Sequence, residues 1–240
     1  MKILAFDSTA KIASVAVLED ERLLGLYNVD NGLTQSEVLL PMAENLLSSL
    51  KISFDDIELF AVSVGPGSFT GVRIGVALVK GLAFGKNIPC VSVSTLEALA
   101  ENLRGLSGLL VPTMDARRGQ LYTAIFRSAD GEIERLTEDM AISASKLFER
   151  LSSLSDEDVY LSGDGYKVAK AALSKLENLK ETPELLIPES AFSVGRAAFR
   201  KYKSGKTVTD TEIMPTYLRM PQAERERIER ENSIKKENEI

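Results

Sequence analysis

The chain has 240 residues, 44% of them hydrophobic and 27% charged, and a formal net charge of −6. That composition fits a soluble globular protein of one large domain or two of roughly 100 residues, and it excludes a chain that is mainly disordered. No apolar run approaches the ~20 residues of a bilayer helix, and Asp7 interrupts the opening apolar stretch too early for a signal peptide. Histidine is absent, which rules out Ser-His-Asp and Cys-His catalysis and His-ligated metal by this chain alone. The single cysteine, Cys90, excludes an intramolecular disulfide and suits a reducing cytoplasm. Lying between Pro89 and the apolar Val91 and Val93, it reads as a buried strand thiol rather than a nucleophile. The acidic balance argues against a free-standing nucleic-acid binder, because phosphate neutralisation needs a basic face that a partner would have to supply.

The first half opens with short strands at residues 3–6, 13–18 and 23–29, the second alternating and β-branched. A helix is predicted over 36–50, where Val38, Leu39, Met42, Leu46, Leu47 and Leu50 recur at helical spacing. A buried strand at 59–64 runs into the tight turn Gly65-Pro66-Gly67-Ser68-Phe69-Thr70-Gly71, followed by a helix over 70–85. Strand 90–93 and helix 95–103 complete the set. The second half repeats the order: strand 109–114 into Asp115, strands 120–127 and 132–137, helix 144–154, strand 159–162 ending at Gly163-Asp164-Gly165, and helices 166–176 and 192–202. Two similar mixed α/β units are therefore expected, divided as 1–104 and 105–219. Residues 220–240 form a charged tail of alternating acidic and basic residues, expected to be a solvated extension.

Asp7 at the end of a strand, followed by the hydroxyls of Ser8 and Thr9, is placed as a phosphate- or metal-handling carboxylate would be in an α/β sheet. An Asx or Ser/Thr turn accounts for the same residues. Asp115 is the counterpart, followed by Ala116-Arg117-Arg118-Gly119. A working phosphate loop wants glycine beside the carboxylate so that backbone can approach the anion, whereas Ser8 and Ala116 stand there. The pattern favours a degenerate, vestigial site. The glycine turn 65–71 is neither a Walker loop nor a nucleophile elbow, and Ser68 has no standard base, so a serine peptidase is disfavoured and capping explains Ser68 and Thr70. Gly71 and Gly75 lie four apart on one helical face, with Leu78, Val79 and Leu82 continuing it. Glycine inside a helix costs ~1 kcal/mol relative to alanine, so a close neighbour must need that backbone, either within the chain or in another subunit.

The stretches Ile3-Leu4-Ala5-Phe6-Asp7-Ser8-Thr9, Ser36-Glu37-Val38-Leu39-Leu40-Pro41 and Val64-Gly65-Pro66-Gly67-Ser68-Phe69-Thr70-Gly71-Val72-Arg73-Ile74-Gly75 resemble the TsaB (YeaZ) family. Lys80-Gly81-Leu82-Ala83, Val93-Ser94-Thr95-Leu96-Glu97-Ala98-Leu99-Ala100, Asp115-Ala116-Arg117-Arg118 and Pro215-Thr216-Tyr217-Leu218-Arg219 do so as well. The likeness spans residues 1–219, and its glycine-rich stretch is specific. It implies an α/β fold of two actin-like (RNase H-like, ASKHA superfamily) lobes with mixed sheets flanked by helices. It also implies a non-catalytic part in forming N6-threonylcarbamoyladenosine at position 37 of tRNAs reading ANN codons. The implied partners are the catalytic subunit TsaD in a heterodimer, the ATPase TsaE in a larger complex, and a second copy when alone, with tRNA contacted through the complex. No cofactor is implied for this chain beyond weak ATP or ADP binding in the complex. Gln35 stands where the family often has histidine, and without histidine the chain cannot form the metal-binding pair of the TsaD-type catalytic subunits.

Under this resemblance the two helices become the expected subunit interface, through Val38, Leu39, Met42, Leu46, Gly71, Gly75, Leu78 and Leu82. Gly75→Leu is then expected to abolish association and leave the fold intact. The alternative is a stand-alone actin-like ATPase or kinase, with Asp7 and Asp115 holding Mg-nucleotide. Arg117, Arg118, Arg196, Arg200, Lys201, Lys203 and Lys206 are the candidates for local positive potential toward tRNA, against the plainer reading of solvated surface charge.

Overall fold

Strand β1 (Lys2–Asp7) sets the organisation of the first lobe, because alternate residues of a strand point to opposite faces. Leu4 and Phe6 enter one core cluster and Ile3 and Ala5 another, so the strand is apolar from Ile3 to Phe6 and covered on both sides. The computed structural model describes residues 1–154 and 156–219; the charged tail 220–240 lies outside the described residues. β1 pairs antiparallel with β2 (Ala13–Glu19), which pairs antiparallel with β3 (Arg22–Val29). On its other side β1 pairs parallel with β4 (Leu59–Ser63), and β4 with β5 (Cys90–Val93), giving the order β3-β2-β1-β4-β5. Helices α1 (Gln35–Leu50) and α2 (Phe69–Ala83) cover one face. α3 (Thr95–Asn102) follows β5, with the Ser94 hydroxyl accepting the N–H groups of Leu96 and Glu97 as its cap.

The second lobe repeats this sheet in broken strands. Central β6 (Gly108–Asp115) pairs antiparallel with β7 (Gln120–Thr123) and, in unchanged register, with β8 (Phe126–Ala129). β7 and β8 are two halves of the strand expected at 120–127, interrupted at Ala124 and Ile125. Outside them lie β9 (Glu132–Arg135) and β10 (Met140–Ser143), a strand the sequence reading missed. At the break, the Ile125 carbonyl accepts from both Leu136 and Thr137, while the Ile125 N–H donates to the Thr137 hydroxyl at 2.9 Å. A side chain thus replaces a missing ladder bond. β11 (Val159–Ser162) pairs parallel with β6 as β4 does with β1, and a single parallel bridge from Val159 to Leu179 stands where β5 would continue. α4 (Ala144–Ser152) and α5 (Tyr166–Ala172) cover one face; α5 ends four residues before the expected 176, in a turn.

The division at residue 104 requires correction. Helix α6 (Ala191–Lys203) does not cover the second sheet: Ala191, Val194, Ala197 and Ala198 pack with Ile3, Ala5, Ala16 and Leu18 of the first. Residues 207–217 also return to the first lobe, where Val208 exchanges backbone hydrogen bonds with Cys90, Ile213 is fully buried and the Thr216 N–H reaches the Val64 carbonyl. Conversely, Leu96, Leu99, Ala100 and Leu103, in and just beyond α3, pack with Leu110, Met114 and Phe126 of the second lobe. Each sheet is closed by a helix from the other half, and α3 and α6 are bound to each other by the ion pairs Lys201–Glu97 (2.7 Å) and Arg200–Glu101.

Candidate functional site

The strand-end residues of the first lobe face inward. Asp7 is 1% exposed and Ser8 and Thr9 are fully buried. One Asp7 oxygen accepts from the Thr9 N–H (2.9 Å) and Thr9 Oγ1 (2.7 Å), and the other from Ser63 Oγ (2.5 Å). Ser8 Oγ donates to the Gly71 carbonyl at 2.8 Å, and the Ser68 N–H donates to the Thr9 carbonyl at 2.7 Å. The β1–β2 turn is therefore pressed against the start of α2, and the glycines permit this. A Cβ on Gly71 would collide with the Ser8 carbonyl and one on Gly75 with Ser8 Oγ.

Both hydroxyls, the Asp7 carboxylate and the Ser68 N–H are thus engaged by the protein itself, while Lys11 of the same turn is exposed. Asp115, the counterpart in the second lobe, accepts from the Arg117 N–H at 2.8 Å and lies 3.6 Å from the Arg117 guanidinium. Its own N–H donates to Asp164 Oδ1 at 2.7 Å. Arg117 and Arg118 both have positive φ, 65° and 54°, in the hairpin tip between β6 and β7. Among the described residues no group of three Asp, Glu or Cys side chains is placed to hold one metal ion.

Sequence reasoning missed two acids that complete this junction. Asp164 lies in the glycine-flanked loop after β11, and its N–H donates to Glu189 Oε1 at 3.1 Å. Glu189 is 3% exposed. Burial first, then the nearby Asp7 and Asp164 charges, push its carboxyl up to about 8. Burial likewise raises Asp7 and Asp164 above the usual carboxylate range. The Gly163-Asp164-Gly165 turn was a visible signal, whereas Glu189, between Pro188 and Ser190, had none.

The expected interface residues divide. Leu39, Met42, Leu46, Gly71 and Gly75 lie inside the first lobe, against its sheet, and are unavailable to a partner. The physical reason is the sheet itself: the small-residue stripe on α2 seats the β1–β2 turn, not another chain. Val38, Leu78 and Leu82 are only partly buried, and Leu40 and Phe84 are exposed beside them on α1 and at the end of α2. Next to this surface the Arg73 guanidinium lies 3.7 Å from the centre of the Phe69 ring and donates to the Tyr217 hydroxyl at 2.8 Å. Of the candidate cations, Arg200 and Lys201 are spent on α3 and Glu21. Cys90 is buried, and burial pushes its thiol up to about 11, as expected of an inert core cysteine.

The family model described as TsaD, tRNA N6-adenosine threonylcarbamoyltransferase, matches residues 34–226. The tRNA threonylcarbamoyladenosine biosynthesis protein TsaB of Bacillus subtilis is 31% identical, covering 95% of this chain and 99% of that protein. That of Escherichia coli is 34% identical, over 91% of this chain and 95% of that protein. The solved structure of YeaZ from Pseudomonas aeruginosa superimposes with a TM-score of 0.72 at 26% identity, over 90% of this chain and 99% of that one. The family match and the near-complete sequence coverage agree, and the chain belongs to the TsaD-type proteins as a member of the TsaB (YeaZ) family of tRNA threonylcarbamoyladenosine biosynthesis proteins.

Proposed function

We propose that this chain is a non-catalytic activator subunit in the formation of N6-threonylcarbamoyladenosine at A37 of tRNAs reading ANN codons. It acts in the cytoplasm by binding the catalytic subunit TsaD, with the ATPase TsaE joining the complex, and it pairs with a second copy when alone. The observation that carries this reading is the inward-turned Asp7-Ser8-Thr9 turn in a TsaB-type chain: the site where a solitary actin-like enzyme would work is filled by the protein's own contacts. Activation needs no chemistry from the activator, only a higher affinity for one arrangement of its partner. The chain requires no cofactor in this scheme, and tRNA is held mainly by the complex.

The partner surface is the outer side of α1 and α2, carried by Val38, Leu40, Leu78, Leu82 and Phe84 rather than by the buried glycines. Reconstitution with TsaD, TsaE, threonylcarbamoyl-adenylate and an A37-bearing tRNA tests the proposal. Modification is expected to depend on this chain and to persist with Asp7→Asn. Modification without the chain would sink the activator reading. Mg-dependent hydrolysis of ATP by the isolated chain, lost in Asp7→Asn, would instead revive the solitary ATPase.

A further inference from the structure

The chain crosses from the second lobe to the first at residues 187–190, and Glu189 stands in that crossing. The segment is tied on both sides. The Ile187 carbonyl accepts the Gly163 N–H at 2.6 Å, the Pro188 carbonyl accepts Asn102 Nδ2 at 2.6 Å, and the Ala191 N–H donates to Ser14 Oγ at 2.7 Å. Glu189 itself takes the Asp164 N–H from the second lobe, and it is buried within range of the charge of Asp7, which is buried at the end of β1 in the first.

The charged groups around it are unbalanced. Asp7 comes from the first sheet and Asp164 from the loop after β11, both acidic. The nearby cations, Lys11 of the β1–β2 turn and Arg117 of the β6–β7 hairpin, act on Asp164, and Arg117 also pairs with Asp115. Among the described residues no Lys or Arg forms an ion pair with Glu189. Hydrogen bonding separates the two buried acids. Asp7 accepts three donors, which suits an ionised carboxylate, whereas Glu189 accepts the Asp164 N–H and its own backbone N–H. A second full charge in this pocket would be desolvated, unpaired and beside Asp7, and such a group takes up a proton instead.

We propose that Glu189 carries a proton at neutral pH and that this proton locks the two lobes together at their crossing, the lock releasing when the carboxyl ionises. Ionisation sets Glu189 against Asp7 and Asp164, and the repulsion is relieved by admitting water between β1 and the loop after β11. Release loosens the Asp164 N–H and Gly163 N–H, one held by the carboxyl and the other by the segment that carries it.

The test uses the full chain between about pH 6 and pH 9.5, following the Glu189 carboxyl by carbon NMR and the Asp164 amide by hydrogen exchange. The carboxyl is expected to titrate near 8. Between pH 6 and 8 the Asp164 amide should exchange faster than intrinsic base catalysis accounts for, by about tenfold per unit, and this excess should level above the midpoint. Glu189→Gln keeps shape and neutrality, and should hold Asp164 protected across the whole range. A carboxyl titrating in the ordinary glutamate range would overturn the proposal. So would equal pH-dependent loss of protection in Glu189→Gln. Should that variant fail to fold, the wild-type titration alone decides.

Discussion

The two lobes share one sheet order and differ in how it is sealed. In the first, β1, β2 and β3 run six to eight residues each, and the turn after β1 is clamped beneath α2 by Ser8, Thr9 and the glycines. In the second, β6 is unbroken but the counterparts of β2 and β3 are split into four-residue pieces, and the turn after β6 projects outward with two arginines in left-handed conformation. The same topology thus carries a turn seated against a helix on one side and an open turn on the other. What separates them is the contact between the first strand's turn and the helix that follows the fourth strand.

The comparison breaks most severely at that contact. Gly75→Leu should prevent folding altogether, since the added side chain meets Ser8 and Val62 in a close-packed core, and circular dichroism would show it. A soluble, normally melting Gly75→Leu protein would mean that the turn and α2 are not clamped. Next in size is the pH dependence of stability. Glu189 is raised from 4.5 to about 8 on folding, so the folded chain binds more protons than the unfolded chain in that window, and stability should fall as pH rises from about 4.5 to 8 and then level. At about 1.4 kcal/mol per unit, the loss is a few kcal/mol, shared with the coupled Asp7. Glu189→Gln should flatten the profile in chemical denaturation.

Introducing acids at Leu78 and Leu82 should weaken subunit association about 100-fold in analytical ultracentrifugation, with the melting temperature nearly unchanged. The corresponding changes at Leu39 and Met42 should unfold the first lobe. In the second lobe, Thr137→Val leaves the Ile125 N–H without its acceptor and should cost about 1–3 kcal/mol. The smallest effect is expected at the open hairpin. Arg118→Gly relieves a left-handed residue and should stabilise by about 1 kcal/mol or less, since glycine also enlarges the unfolded ensemble.

The strands and helices of the first lobe were legible because their apolar periodicities are long and uninterrupted. The same periodicity did not separate buried from exposed positions on α1 and α2. A pair such as Gly71 and Gly75 looks alike whether it meets a neighbouring subunit or the chain's own β1 turn, and only the tertiary register decides. The break at Ile125 was hidden because the residues on both sides stay apolar, and β10 because Met140 to Ser143 is short and runs directly into α4. Asp7 was found as a strand-end acid, but its orientation was not. Glu189 was invisible, since its environment is assembled from β1, the loop after β11 and its own crossing segment, all remote in sequence.

The exchange of α3 and α6 between lobes has a consequence for synthesis on the ribosome. One face of the first sheet, with Ile3, Ala5, Ala16 and Leu18, is covered mainly by α6, through Ala191, Val194, Ala197 and Ala198, with Ala98 of α3 beside them. That face stays bare while most of the chain is being made, so the first lobe cannot mature alone and then wait for the second. Fragments cut at residue 104 should each remain unfolded and recover structure only when mixed, with one joint melting transition.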